Sequence, residues 1–276
     1  EGDSVDGFFR RRFVDKVADY LLTPFISGIY AGNPKTKRID KAFPKIKAYE
    51  EEYGSVLRGF LKNRKPGGPK GIFSFREGLG QLCEALAHKL QPELQLSTPI
   101  DTVSQSGETW QLHAGDQVFT ANQVVLTLPA YRTAELIRNH FPDAAGAYAR
   151  VYYPPVSVVV SAYQRADVVH KLDGFGALHN QLESTNTLGT IFSSSLFPDR
   201  CPEDQVLLTT FVGGSLHPKN AEASDEILRE MVIADHKKFL GARQNPVFQR
   251  IIRWPRAIPQ YDDAIVPAHD HAQALT

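Results

Sequence analysis

The chain has 276 residues, enough to bury the core of one large or two smaller domains, and its 31 Lys and Arg balance 31 Asp and Glu to a formal net charge of zero. That balance gives no global field to draw nucleic acid or anionic lipid, and nucleic-acid binding is set aside on it. The two cysteines, Cys83 and Cys201, lie far apart and offer no disulfide framework, which fits a reducing, cytoplasmic setting, and no apolar run approaches the roughly 18 to 20 residues of a spanning helix.

The chain begins at Glu1 inside a helical pattern and ends at Thr276 in an unfinished one, so an excised piece of a longer protein is expected. From Ser4 to Leu22 the spacing puts Phe9, Phe13, Val17, Tyr20 and Leu21 on one helical face. Arg10, Arg11 and Arg12 point in different directions on such a helix and read as a solvated face rather than a docking patch. Thr23-Pro24 is expected to close the helix, leaving Phe25 to Pro34 as a short apolar run containing Gly28 and Gly32. Spacing favours packing against another backbone as the reason for Gly28; a ligand lying against the main chain is the alternative. Phe43 to Leu61 predicts a second helix, with Ile46, Tyr49, Tyr53, Val56, Leu57 and Phe60 inward. Asn63 to Lys70 is a basic Gly/Pro-rich loop, read as a solvated linker with phosphate or membrane contact as the alternative.

Gly71 to Ala130 is the central stretch. Leu79, Leu82, Cys83, Leu86 and Leu90 form one helical stripe that Pro92 ends. Leu94 to Leu96, Ile100 to Val103, Trp110 to Leu112 and Val118-Phe119 alternate as short strands, and Val124 to Leu128 predicts a buried strand entering the Pro129-Ala130 turn. Thr133 to Asn139 is a short helix. Tyr152 to Tyr163, Asp173 to Leu178, Leu188 to Phe192 and Val206 to Val212 then predict a largely antiparallel sheet. A helix over Glu222 to Leu240, with Ile227, Leu228, Met231, Val232 and Phe239 inward, and a last strand over Val247 to Trp254 complete it. The fold class expected is α+β, a mixed or antiparallel sheet covered by helices.

Hydrolytic and metal chemistry find no support. Gly78-Leu79-Gly80-Gln81-Leu82-Cys83 lacks the third glycine of a dinucleotide fingerprint and follows no recognisable strand. His269-Asp270-His271 diverges by about half a turn on a helix, and no G-x-S-x-G elbow occurs. What remains is an apolar, glycine-interrupted set, Phe175-Gly176, Leu178, Ile191, Phe211 and Gly213-Gly214, on strands expected to be neighbours. From the residues alone it reads either as core or as the wall of a site for a large flat ligand.

The words FSFREGLGQLCEALAHKL, STPIDTV and VVLTLPA resemble the central portion of the flavin-containing monoamine-oxidase-like superfamily. PFISGIYAG, Gly174-Phe175-Gly176, Leu188-Gly189, Val212-Gly213-Gly214 and WPRAIPQY occur in the order found in its oxygen-dependent protoporphyrinogen oxidase family, and the resemblance covers nearly the whole chain. It implies FAD as cofactor, a tetrapyrrole substrate and dioxygen as acceptor, with six-electron oxidation of protoporphyrinogen IX to protoporphyrin IX. By the same resemblance Gly28, Phe175, Gly176, Leu178, Ile191 and Phe211 would bind substrate. Ile100 would meet the adenine end of FAD, and Trp254 would stand beside the flavin. The implied organisation is a helical, substrate- or membrane-facing region over 1–70, a remnant of an FAD-binding domain of the p-hydroxybenzoate hydroxylase/amine oxidase type over 71–135, and a substrate-binding domain over 136–276. The family's opening G-x-G-x-x-G and its C-terminal flavin-binding segment are missing from the sequence, so the chain alone is expected to bind FAD weakly and turn over little. A related amine oxidase or carotenoid desaturase, and a non-catalytic core binding tetrapyrrole or protein, are the alternatives. Homodimerisation and peripheral membrane contact stay open.

Overall fold

The computed structural model describes residues 3–63 and 73–275. Helix α1 (Val5–Arg10) starts at Ser4, whose hydroxyl accepts the Gly7 N–H at 3.0 Å. Helix α2 (Asp15–Val17) runs through a π-helical stretch, Ala18–Leu22, into α3 (Thr23–Tyr30). The expected stop at Thr23-Pro24 does not occur: helical residues run unbroken from Asp15 to Tyr30, Pro24 follows directly on the π-helical stretch, and the helix ends at Ala31 in the left-handed region, φ 50°. Gly28 is thus helical. The buried face is Val5, Phe8, Ala18, Leu22 and Ile26, while the predicted Phe13, Tyr20 and Leu21 are exposed. The break at 11–14 and the wider π turn shift the angular phase that a continuous helix would have kept.

The three arginines are separately anchored rather than merely solvated. Arg10 reaches Asp6, Asp15 and Asp19, Arg11 pairs with Asp3, and Arg12 pairs with Glu50 while lying 3.6 Å over the Phe8 ring. After α4 (Ile39–Ala42), the helix predicted over Phe43 to Leu61 is two, α5 (Pro44–Tyr53) and α6 (Val56–Lys62). Gly54 at φ 62° turns the chain and Ser55 caps the second by accepting the Arg58 N–H. The basic loop lies, from residue 64 onward, outside the described residues.

Next come α7 (Gly80–Leu90) and the antiparallel meander β1 (Thr102–Ser106), β2 (Thr109–Ala114) and β3 (Gln117–Ala121), then α8 (Ala130–Ile137) and α9 (Pro142–Ala149). Leu136, Ile137, Ala144 and Ala145 close over Val103, with Ile100 and Trp110 packed against them. Three expectations fail here. Leu79, Leu82, Leu86 and Leu90 do form a helical stripe, but all four are exposed. Val124 to Leu128 is neither strand nor buried, with Val125 84% exposed, and Leu94 to Leu96 also stays irregular. Apolar character makes a run fit for a central strand, but a strand also needs neighbours to take its N–H and C=O groups, and no described strand pairs with this one.

A five-stranded sheet follows: β4 (Val156–Gln164), β5 (Gly176–Leu178), β6 (Gly189–Ile191), β7 (Gln205–Gly213) and β8 (Phe248–Trp254), in the order β5-β6-β7-β4-β8 with every neighbour antiparallel. Short helices α10 (Ser193–Leu196) and α11 (Pro218–Ala221) sit in its connections. Helix α12 (Asp225–Leu240), capped by Ser224 and ended at Gly241, covers one face, burying Leu228 and Val232 against Val159 and Val212. Beyond the predicted inward set it also buries Asp235 and His236, while Ile227 is exposed. Helix α13 (Ile265–Ala274) completes the described chain. Backbone proximity divides the chain into two units, 1–52 with 152–263 and 53–151 with 264–276. No helix among the described residues is long and apolar enough to cross a membrane, and none of their His, Cys, Asp and Glu cluster as a metal site.

Candidate functional site

The sheet face opposite α12 carries a cavity of about 620 Å³. Side chains alternate along a strand, so with Val159 and Val212 turned to α12, Val156, Val158 and Phe211 turn to the other side. There they meet Phe175, Gly176 and Leu178 from β5 and its approach, Ile191 from β6, Trp254 at the end of β8, and Gly28 and Ala31 from α3. All six residues expected to bind substrate line this one cavity, and Trp254 lines it too. Ile100 belongs to the other unit, at the edge of the Val103 cluster. Sequence reasoning missed Val156, Val158, Leu188 and Ala31. The first two were readable from the two-residue period of β4; Ala31 was hidden by reading Phe25 to Pro34 as a short apolar run and not as a helix and its end.

Two glycines fix how closely the walls approach. A Cβ on Gly28 would fall 2.5 Å from Leu178 Cδ2 and 3.2 Å from the Leu188 carbonyl, so the bare backbone lets α3 settle on the β5–β6 hairpin, and the space is filled by protein. A Cβ on Gly176 would fall 2.3 Å from the Thr190 carbonyl of the neighbouring strand. These glycines shape the cavity by drawing its walls together, not by leaving gaps for a ligand.

Among the described residues, the lining carries no ionisable side chain. Phe175, Leu178 and Trp254 are about half exposed, so the trough is open and apolar. Thr190 contributes backbone only, because its hydroxyl points behind the sheet to Thr210 Oγ1 at 3.1 Å. That bond belongs to a polar layer between sheet and helix. Thr210 Oγ1 meets His236 Nε2 at 2.8 Å, and the other ring nitrogen, Nδ1, meets Tyr163 Oη at 3.0 Å. Beside it the Asp235 carboxylate accepts the Asn186 and Thr187 N–H groups at 3.0 and 2.9 Å and the Thr187 hydroxyl at 2.7 Å, while His179 Nδ1 lies 2.5 Å from that hydroxyl. Burial pushes the His236 imidazolium pKa down to about 3, with the nearby His179 adding to the effect, and raises that of the Tyr163 phenol. Burial likewise lowers His179, against the pull of Asp235. This layer holds in register the two three-residue strands that bring Leu178 and Ile191 to the cavity.

Known proteins place this geometry. The model of the flavin-containing amine oxidoreductase family matches residues 1–274, and the chain belongs to that family. The chloroplastic protoporphyrinogen oxidase of Nicotiana tabacum is 33% identical over 94% of this chain and 52% of its own length. The coproporphyrinogen III oxidase of Staphylococcus aureus is 28% identical over 95% of this chain and 59% of its own length. A solved structure from Exiguobacterium sp. 255-15 superposes with a TM-score of 0.75 at 25% identity, over 98% of this chain and 59% of the other. A putrescine oxidase variant matches with a TM-score of 0.71 at 16% identity, over 99% of this chain and 59% of the other, which speaks to fold alone. The chain thus spans between half and three fifths of the length of these relatives.

The described residues fit a flavin in part. The open apolar trough, with the Trp254 indole at its end, suits the flat face of a ring system. The glycines of Gly78-Leu79-Gly80 lead into α7 from a turn and not from a strand, so the described residues present no strand–turn–helix cradle for the pyrophosphate.

Proposed function

We propose that this chain is the substrate-holding part of a flavin-dependent oxidase that converts protoporphyrinogen IX to protoporphyrin IX, with FAD as cofactor and dioxygen as final acceptor. One observation carries the reading: residues from α3, β5, β6, β7 and β8, scattered over more than two hundred positions, converge on one apolar trough. The matched relatives that act on porphyrinogens support it. Gly174-Phe175-Gly176 with Leu178 and Ile191 makes a broad apolar slot, where an amine oxidase would be expected to bring a cage of aromatics for its substrate nitrogen. Within this reading residues 71–135 remain the piece of a flavin-binding domain, with Ile100 toward the adenine end. The exposed stripe of α7 and the exposed run 124–128 are surfaces for the rest of that domain. Exposed Phe13, Val14, Tyr20 and Leu21 are the surface for peripheral membrane contact.

Bound flavin would supply the hydride acceptor. The protein's share is positional. Phe211, Ile191 and Leu178 would hold the macrocycle by apolar contact and strip water from the carbon that loses hydride, and Trp254 would bound the side on which the acceptor lies. With no ionisable group in the lining, these residues orient and desolvate without taking a proton.

Titrating the chain with protoporphyrin IX, followed by porphyrin fluorescence, tests this. Binding at one site is expected, and Phe211→Ala should weaken it by about thirtyfold, the loss of about 2 kcal/mol of aromatic contact. Binding that Phe211→Ala leaves untouched would remove the reading.

A further inference from the structure

One corner of the cavity is built without a strand. Ile29 and Ala31 line it from the end of α3, and Ala257 and Ile258 line it from residues 255–260, which follow β8 without helix or strand. A helix leaves its last carbonyls without partners of its own, and those of α3 are taken from outside. Ala31 O accepts the Ser215 N–H at 2.8 Å, and Tyr30 O accepts Gln260 Nε2 at 3.1 Å. The same Gln260 nitrogen donates to Ile258 O at 3.0 Å. Both partners are carbonyls, so they fix which way the amide faces and use both of its N–H bonds. Gln260 is only 5% exposed, and its backbone N–H is itself held by Tyr152 O at 2.8 Å. One buried side chain thus ties the carbonyl between Ile29 and Ala31 to the carbonyl of Ile258. Gly32 makes room for it: a Cβ there would fall 2.7 Å from Gln260 Oε1 and 2.8 Å from Cε of the buried Lys37, so amide and lysine stem lie on bare backbone. Apolar contacts are non-directional and let surfaces slide, whereas two hydrogen bonds on one planar amide fix a distance.

We propose that Gln260 is a positioning residue for the ring ligand: by pinning the end of α3 to residues 255–260 it sets how wide the cavity stands at this corner, and so how thick a ring system the cavity admits. This role rests on the ring-ligand reading above and adds a source of selectivity outside the apolar lining. Gln260 is not among the lining residues and acts through Ile29, Ala31 and Ile258.

The test compares protoporphyrin IX, which is flat, with N-methylprotoporphyrin IX, which has the same arms but one pyrrole tilted out of the plane, by fluorescence titration of the chain in one detergent buffer. Gln260→Met keeps the length of the side chain and removes both donors. Gly32→Ala keeps the amide and pushes it off its carbonyls, against flexible side-chain ends only. Each should shift the ratio of the two Kd values about fivefold or more toward the thicker ligand, because the corner is no longer pinned. A side chain that merely stabilised the fold would weaken both ligands in the same proportion, so a wild-type ratio in either folded variant would overturn the positioning role. Should Gln260→Met fail to fold, Gly32→Ala decides alone. Phe211→Ala separates the two claims, since it should weaken both ligands alike. If it weakens neither, the ring reading has failed; if it weakens both while the ratio stays at its wild-type value in the other variants, only the positioning role has.

Discussion

At Gly28 an added Cβ would fall 2.5 Å from the tip of the Leu178 side chain and 3.2 Å from the Leu188 carbonyl. Leu178 is half exposed and can swing aside, so Gly28→Ala should cost about 1 kcal/mol of stability, and Gly28→Val, which also presses on the backbone carbonyl, more. Chemical denaturation of the variants measures this, and wild-type midpoints would contradict the packing described. His236 carries a second prediction. It is neutral in the fold, with its pKa held down to about 3, whereas an unfolded histidine titrates near about 6.5. The unfolded chain therefore takes up a proton that the folded chain refuses. The histidine costs nothing well above about 6.5, and stability falls as pH drops below that value, by about 2 kcal/mol between pH 7.5 and pH 5. Urea midpoints at the two pH values read the slope. His236→Gln, which keeps an amide in the Tyr163–Thr210 gap without titrating there, should flatten it.

At the scale of elements, the edge strand β5 and its neighbour β6 are too short to hold themselves, three residues each, and their connection is fastened to α12 through Asp235. Asp235→Ala leaves two buried N–H groups without an acceptor and should destabilise the protein by about 1 to 3 kcal/mol. Amide exchange in 176–191 should rise before that in β4 or β7; uniform change across the sheet would contradict a local fastening. The same elements show what could be read in advance. Strands β4, β7 and β8 were legible because runs of β-branched and aromatic residues alternate without interruption. Asp235 and His236 continue the three- and four-residue spacing from Leu228 and Val232, but their polarity hid them from a search for apolar stripes. Helix α3 was misread because a Pro commonly ends a helix, whereas here the helical run passes through Pro24 directly after a π-helical stretch. The run 124–128 was misread because composition does not say whether a strand has neighbours. The cavity residues were legible only through family resemblance; spacing alone left Phe175, Leu178, Ile191 and Phe211 as readily core as wall.

For the molecule as a whole, the described residues form an open apolar trough but no strand–turn–helix cradle for a pyrophosphate. The chain should therefore purify without stoichiometric flavin absorbance, and added FAD should bind weakly; a yellow, one-to-one complex would contradict the division of labour proposed. The central claim is that segments far apart in sequence make one slot for a planar macrocycle. A crystal structure of the chain with protoporphyrin IX tests it most directly. The account predicts the macrocycle in contact with Phe211, Ile191 and Leu178, with one edge at Trp254. A porphyrin seated elsewhere, or an apolar trough left unoccupied while the ligand is bound at another place, would contradict it.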